Sequence, residues 1–74
     1  MSNAQIHITL NGEPTYAAVG CNIDAVLDIA GLVAERRNGI AVAVNQAVVP
    51  RSEWSSTAIS DGDRIEIVTA VQGG

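Results

Sequence analysis

The sequence predicts an α+β domain in which one helix lies across one face of a small sheet. Three observations carry this expectation. Apolar and polar residues alternate with period two towards both ends of the chain, one stretch between them repeats with the 3.6-residue period of a helix, and turn dipeptides punctuate the runs. With 74 residues there is room for one core, and a chain this short buries only about 60% of the surface that its unfolded form exposes. Apolar residues make up 47% of the chain and aromatics only 3%, so Ile, Val, Leu and Ala must build the interior.

The first strand is Gln5-Ile6-His7-Ile8-Thr9-Leu10, with Ile6, Ile8 and Leu10 facing inward. Asn11-Gly12 follows, a dipeptide in which both residues tolerate positive φ and which therefore favours a tight hairpin. A second strand runs from about Pro14 to Ala18, with Pro14 restricted to its start or to a sheet edge. The period then changes. Ile23, Val26, Leu27 and Ala30 fall at i, i+3, i+4 and i+7, one stripe of an amphipathic helix that spans about Asn22 to Ala30. Asn22 is placed to cap it and Asp24 to favour the positive end of its dipole. Gly31 can close it by turning left-handed, although the stretch up to Arg37 leaves the end open.

Alternation returns over Ile40 to Val44, with Ile40, Val42 and Val44 on one face and Ala41 and Ala43 on the other. Asn45-Gln46 reads as a turn, Val48-Val49 as a very short strand stopped by Pro50, and Ser52 to Ser60 as a 3₁₀ or looped connection holding the only Trp. Asp61-Gly62-Asp63 is a turn, and Arg64 to Thr69 is the last strand with Ile65 and Ile67 inward. The order ββαβ(β)β is that of the ubiquitin-like β-grasp: one helix on a mixed sheet of four to five strands. Residues 1–69 make the domain and residues 70–74 a flexible tail ending in Gly-Gly. The expected core is Ile6, Ile8, Leu10, Ile23, Val26, Leu27, Ile40, Val42, Val44, Ile65 and Ile67.

Charge narrows the function. The net charge is −4, which disfavours a protein that tracks a nucleic-acid backbone and favours partners with basic docking surfaces. No segment reads as an export signal or a bilayer span, and a free thiol without such a signal points to the cytoplasm. One cysteine forms no internal disulfide, and Cys and His do not cluster at metal-ligand spacing, so no intrinsic metal or cofactor is expected.

After the last strand the chain reads Ala70-Val71-Gln72-Gly73-Gly74. Glycines at a chain end can be plain fraying. They can also be chemistry, because a terminal carboxylate that must enter another protein's active site passes most easily when the last residues lack Cβ atoms. A diglycine directly after the final strand of a β-grasp pattern favours the second reading.

At this point the chain resembles the ThiS family of sulfur carriers. The resemblance rests on Ile8-Thr9-Leu10-Asn11-Gly12-Glu13, Val42-Ala43-Val44-Asn45, Val48-Val49-Pro50-Arg51-Ser52-Glu53-Trp54, Asp61-Gly62-Asp63, Glu66-Ile67-Val68 and Val71-Gln72-Gly73-Gly74. The chain departs from the family at Gln46-Ala47, where Gly-Glu is expected, and in the long segment Gly31 to Gly39. The resemblance implies that the chain is a co-substrate in thiamine (thiazole) biosynthesis and not an enzyme. A ThiF-like adenylyltransferase would use ATP and magnesium to activate the Gly74 carboxylate. A sulfur donor acting through a persulfide would then yield a thiocarboxylate, and a ThiG-like thiazole synthase would receive the sulfur. Gly73, Gln72 and Val71 would be the recognised tail. Two alternatives stand beside it: a carrier delivering sulfur to molybdopterin, as in the related molybdopterin-synthase small subunits of MoaD type, and a noncovalent β-grasp interaction module. A protein-modifier role is a third. The chain has no lysine, which argues against lysine-linked chains of the protein on itself.

Other residues carry competing readings. Cys21, just before a helix N-terminus, suits a persulfide if its pKa is lowered there, but its setting favours a small packing residue. His7 faces outward without an evident partner and reads as a solvated strand histidine. Trp54 is expected to plug the edge of an aromatic-poor core in preference to anchoring a partner. Arg51 is either an ordinary surface charge or a mate for an acid on the activating enzyme. The outward set His7, Thr9, Ala41, Ala43, Glu66 and Val68 is small and low in charge, so Ala41, Ala43, Glu66 and Val68 form a candidate docking face.

Overall fold

The computed structural model describes residues 4–69. Eight short elements follow one another. Strands β1 (Gln5–Leu10) and β2 (Glu13–Ala18) precede helix α1 (Ile23–Ile29), and a single 3₁₀ turn, Ala34–Arg36, precedes β3 (Ile40–Val44). Then come β4 (Ala47–Val49), a 3₁₀ helix over Arg51–Ser56, and β5 (Arg64–Thr69). The five strands form one sheet in the order β2-β1-β5-β3-β4. Every pairing is antiparallel except that of the first strand with the last, which run parallel with Thr9 beside Arg64 and Leu10 beside Ile65. This is the expected β-grasp, with β4 present as a full if short fifth strand.

Both predicted hairpins have positive φ at their two central residues: Asn11 at 50° and Gly12 at 84°, Asn45 at 52° and Gln46 at 73°. That matches the twist of the flanking strands. Pro14 does sit in an edge strand, opposite Thr9. Gln46 replaces the glycine expected there without changing the turn, so a side chain with a Cβ is held in the left-handed region.

Asn22 caps α1, its Oδ1 accepting from the Ala25 N–H at 2.9 Å. The helix end left open by the sequence closes at once. Gly31 turns left-handed (φ 83°). Its N–H then donates to the Asp28 carbonyl, and the Leu32 N–H donates to the Leu27 carbonyl at 2.9 Å. These are the two bonds of a Schellman cap, and Leu32 packs against the core as the motif favours. The rest of the untypical segment is tied back by Arg37. Its guanidinium donates to the Leu32 carbonyl at 2.8 Å and to Asp24 at 3.2 Å, and it also pairs with Asp28 on the next helical turn.

The core lies between α1 and one sheet face. Ile6, Ile8, Ile23, Val26, Leu27, Val42 and Ile65 are buried as expected, while Leu10, Ile40, Val44 and Ile67 line its margin half-buried. Ala17, Trp54 and Ile59 complete it. Trp54 is the expected plug: its indole N–H donates to the Val49 carbonyl at 2.9 Å, so the ring is buried without an orphaned donor. Ile59 is carried in by the loop before β5, whose Ile59 N–H donates to the Cys21 carbonyl at 2.8 Å.

Two stability changes follow. Leu27, with no exposed surface, should cost about 2–5 kcal/mol when cut to Ala. Gln46→Gly should go the other way, stabilising by about 0.5–1 kcal/mol, because left-handed strain near 1–2 kcal/mol is relieved against a smaller gain in unfolded-chain entropy. Urea titrations read both, and a lower midpoint for Gln46→Gly would show that its side chain contributes more than its backbone strain costs.

Candidate functional site

The central position of β5 organises the surface opposite the helix. The register sets Ala41 beside Val68 and Ala43 beside Glu66, with Val48 of β4 beside Ala43 on its other flank. The four predicted face residues are therefore contiguous cross-strand neighbours. Val68 is 60% exposed and Val48 72%. Large aliphatics this open on the two strands that flank β3, with only Ala41 and Ala43 between them, form an apolar patch, with Glu66 as the carboxylate within it. Val48 belongs to that patch and was missed, because in a run of two valines the sequence does not say which one faces out. On β1 and β2 the same face changes character: His7 and Tyr16 meet edge-to-face, ring centroids 4.5 Å apart.

β5 is held in place by side chains that stand in for backbone. Asn11, at the turn where β1 leaves the sheet, donates its own N–H to the Ile65 carbonyl at 2.9 Å, and its Oδ1 accepts from the Ile67 N–H at 2.7 Å. Asn45 does the same on the other flank. Its N–H donates to the Arg64 carbonyl, its Oδ1 accepts from the Arg64 N–H, and its Nδ2 donates to Asp63. The turn preceding β5 is docked on β1, where the Asp61 carboxylate accepts from the His7 N–H at 2.8 Å and the Gly62 N–H donates to the His7 carbonyl at 2.7 Å. Residue type marked both asparagines as turn formers, but nothing in the sequence signalled their reach into a third strand.

Beyond Thr69 lie Val71, Gln72, Gly73 and Gly74, together with the expected flexibility of residues 70–74; these fall outside the described residues. What the fold does establish is their point of departure, the end of the central strand beside Ile40.

Cys21 is half-buried against the core. Burial pushes its thiol pKa up, and a hydrogen bond with backbone opposes this only partly. The helix N-terminus therefore does not leave it an activated thiolate, and the packing reading holds. Among the described residues no group of three or more His, Cys, Asp or Glu is placed to hold a metal ion, and no helix is long and apolar enough to cross a membrane. Arg51 stands exposed with its guanidinium carbon 5.7 Å from the centre of the Trp54 ring, and it donates to Asn38 Oδ1 at 2.7 Å.

The fold and the surface define a ubiquitin-like β-grasp protein whose central strand leads into a diglycine end. Comparison with known proteins sharpens this. The ThiS family model matches residues 5–74, and the chain belongs to the ThiS family. It is 30% identical to the sulfur carrier protein ThiS of Escherichia coli over 93% of this chain and all of that one. It is 35% identical, over the full length of both chains, to the uncharacterized protein ycf40 of Porphyra purpurea. It is also 36% identical to a thiazole synthase of Magnetococcus marinus over 90% of this chain but only 20% of that protein. Among solved structures, the thiamine biosynthesis protein ThiS of Geobacter metallireducens superposes with a TM-score of 0.78 at 25% identity, covering 93% of this chain and all of that one.

The thiol assignment has a direct check. Since the folded thiol pKa lies above its unfolded value, the stability tied to the neutral thiol is present below the unfolded pKa and lost as pH rises through the folded one. Iodoacetamide at mildly alkaline pH should accordingly label Cys21 several-fold more slowly in the folded protein than in urea. Equal rates would mean an exposed, ordinary thiol.

Proposed function

We propose that this ThiS-family protein carries sulfur for thiazole formation in thiamine biosynthesis, as a thiocarboxylate on Gly74. The observation that carries the reading is the family match, which runs from β1 through the terminal Gly73-Gly74 without a break at the end of the folded domain. The likeness to ThiS of Escherichia coli supports the carrier role. Two thiazole synthases, of Magnetococcus marinus and Paramagnetospirillum magneticum, contain a stretch similar to this chain, which favours a thiazole synthase as acceptor over the molybdopterin branch.

The chemistry follows from the carboxylate. Displacing an oxide from it is prohibitive, so one of its oxygens first attacks the α-phosphate of ATP on a ThiF-like adenylyltransferase. Pyrophosphate leaves, magnesium neutralises the phosphates, and AMP becomes a good leaving group on the acyl carbon. The terminal sulfur of a persulfide then displaces AMP, and a thiol cleaves the resulting S–S bond to leave the thiocarboxylate. This chain supplies the acyl group, the unhindered approach of Gly73 and Gly74, recognition of Gln72 and Val71, and the docking surface. Threading a tail into an active site costs about 1–2 kcal/mol per residue ordered, so the folded domain must provide most of the affinity. The patch of Ala41, Ala43, Val48 and Val68 with Glu66 spans β3, β4 and β5, and its Glu66 and Val68 lie on the strand that ends where the tail begins, which suits it to that task.

Incubation with a ThiF-like enzyme, ATP, magnesium and a persulfide donor should replace one terminal oxygen by sulfur, read by mass spectrometry of the intact protein. Deleting Gly74, or appending one residue after it, should abolish the change. Val68→Arg should lower kcat/KM for adenylation by about tenfold or more, with an unaltered melting temperature, by setting a charge in the interface. Cys21→Ser should leave the reaction intact. Sulfur gained by the Gly74 deletion but not by Cys21→Ser would place the cargo on the thiol and overturn the proposal.

A further inference from the structure

The chain contains two Asn-Gly steps, Asn11-Gly12 and Asn38-Gly39, and the structure treats them differently. An asparagine followed by glycine is open to attack on its side-chain amide carbon by the next backbone nitrogen, because the following residue has no Cβ to crowd the approach. Oxygen Oδ1 takes up negative charge as the bond forms, so a donor on that oxygen assists the step if it can stay in place while the amide swings round.

Both Oδ1 atoms have such a donor, 2.7 Å away. For Asn11 it is the backbone N–H of Ile67, fixed in the middle of the sheet. The Asn11 backbone N–H is also committed to Ile65, and the turn is clamped by pairing from Leu10↔Glu13 onward. Swinging the Asn11 amide towards Gly12 means breaking the bond to Ile67 and reopening a tight hairpin. For Asn38 the donor is the guanidinium of Arg51, an exposed side chain resting on Trp54. Asn38 and Gly39 lie in the turn between the first 3₁₀ element and β3; both Asn-Gly steps are exposed and both glycines stand in open space, so the donor on Oδ1 and the clamped hairpin are what separate them. A long side chain can follow the amide, whereas a strand N–H cannot.

We propose that Asn38-Gly39 is a site of spontaneous modification, where an imide forms with help from Arg51 and opens to aspartate and isoaspartate. The Gly39 nitrogen bonds to Cγ of Asn38 and loses its proton, and the side-chain nitrogen leaves as ammonia. Water then adds to either carbonyl of the five-membered imide and breaks one of its two C–N bonds. The net change is one amide and one water giving one carboxylate and one ammonium ion, with no oxidant or reductant. The product sets a negative charge against Arg51. In the isoaspartate form it also adds a methylene to the backbone ahead of Gly39, one residue from Ile40, the β3 residue that pairs with Thr69 at the root of the tail.

The test is ageing of the intact protein in mildly alkaline buffer, followed by peptide mapping for the mass gain of amide-to-acid conversion and by isoaspartate methyltransferase labelling. Conversion at Asn38 should run about tenfold or more ahead of Asn11. Arg51→Leu should slow it about three- to tenfold, the worth of one hydrogen bond to the charged oxygen. Thermal melts of the variant confirm that it is folded, and should they fail, Arg51→Gln, which keeps a shorter donor, should give an intermediate rate. Conversion at Asn11 as fast as at Asn38, or a folded Arg51→Leu that ages like the original, would overturn the proposal.

Discussion

The structure depends on putting the last strand of the chain into the middle of the sheet. β5 has to satisfy backbone groups on both sides at once, with a parallel neighbour on one flank and an antiparallel one on the other. The parallel contact is short, two residue pairs in register. Buried backbone groups left unpaired would cost more than a small core can offset. Asn11 and Asn45 solve this from hairpin turns, where an amide side chain carries an acceptor and donors of its own and can continue a ladder after the main chain has turned away. Both serve twice, since a left-handed turn tolerates asparagine better than most residues.

With that strand placed, the rest of the surface follows. Alternation on β5 sends Ile65 and Ile67 towards the helix and Glu66 and Val68 outward, and the alanines of β3 fall beside them without filling the space above the sheet. The result is a low, mostly uncharged platform on an acidic protein. The net charge of −4 favours encounter with basic surfaces, whereas the aliphatic patch supplies contact once the encounter has been made. The charge-dense part of the molecule lies elsewhere, where Arg37 binds the 31–39 segment to the carboxylates of α1.

Much of this was legible in the sequence because two different periods agreed on which side was apolar. The strands, the helix with its Asn22 cap, the first hairpin and the outward facing of Ala41, Ala43, Glu66 and Val68 all come from patterns that local geometry enforces. What could not be read depended on tertiary position. Ile59 sits in an irregular stretch with no period to betray its burial. Ala17 looks like any small strand residue until it is seen opposite Ile6. Whether Leu32 to Arg37 continued the helix was undecidable from propensity, since Gly31 permits a stop without requiring one; Leu32 settles it by returning to the core. Gln46 shows the converse, a turn retained by its strands despite a residue poorly suited to it.

The pairing of first strand with last has a consequence for synthesis. The Asn11 side chain and the Ile67 N–H that it accepts are 56 residues apart, so the sheet cannot be completed from any N-terminal fragment. Contacts of this range form late, after most of the entropy of closing the chain has been lost. On the ribosome the domain therefore stays unfinished until β5 has emerged, because the strand that joins the two halves of the sheet is the last one made.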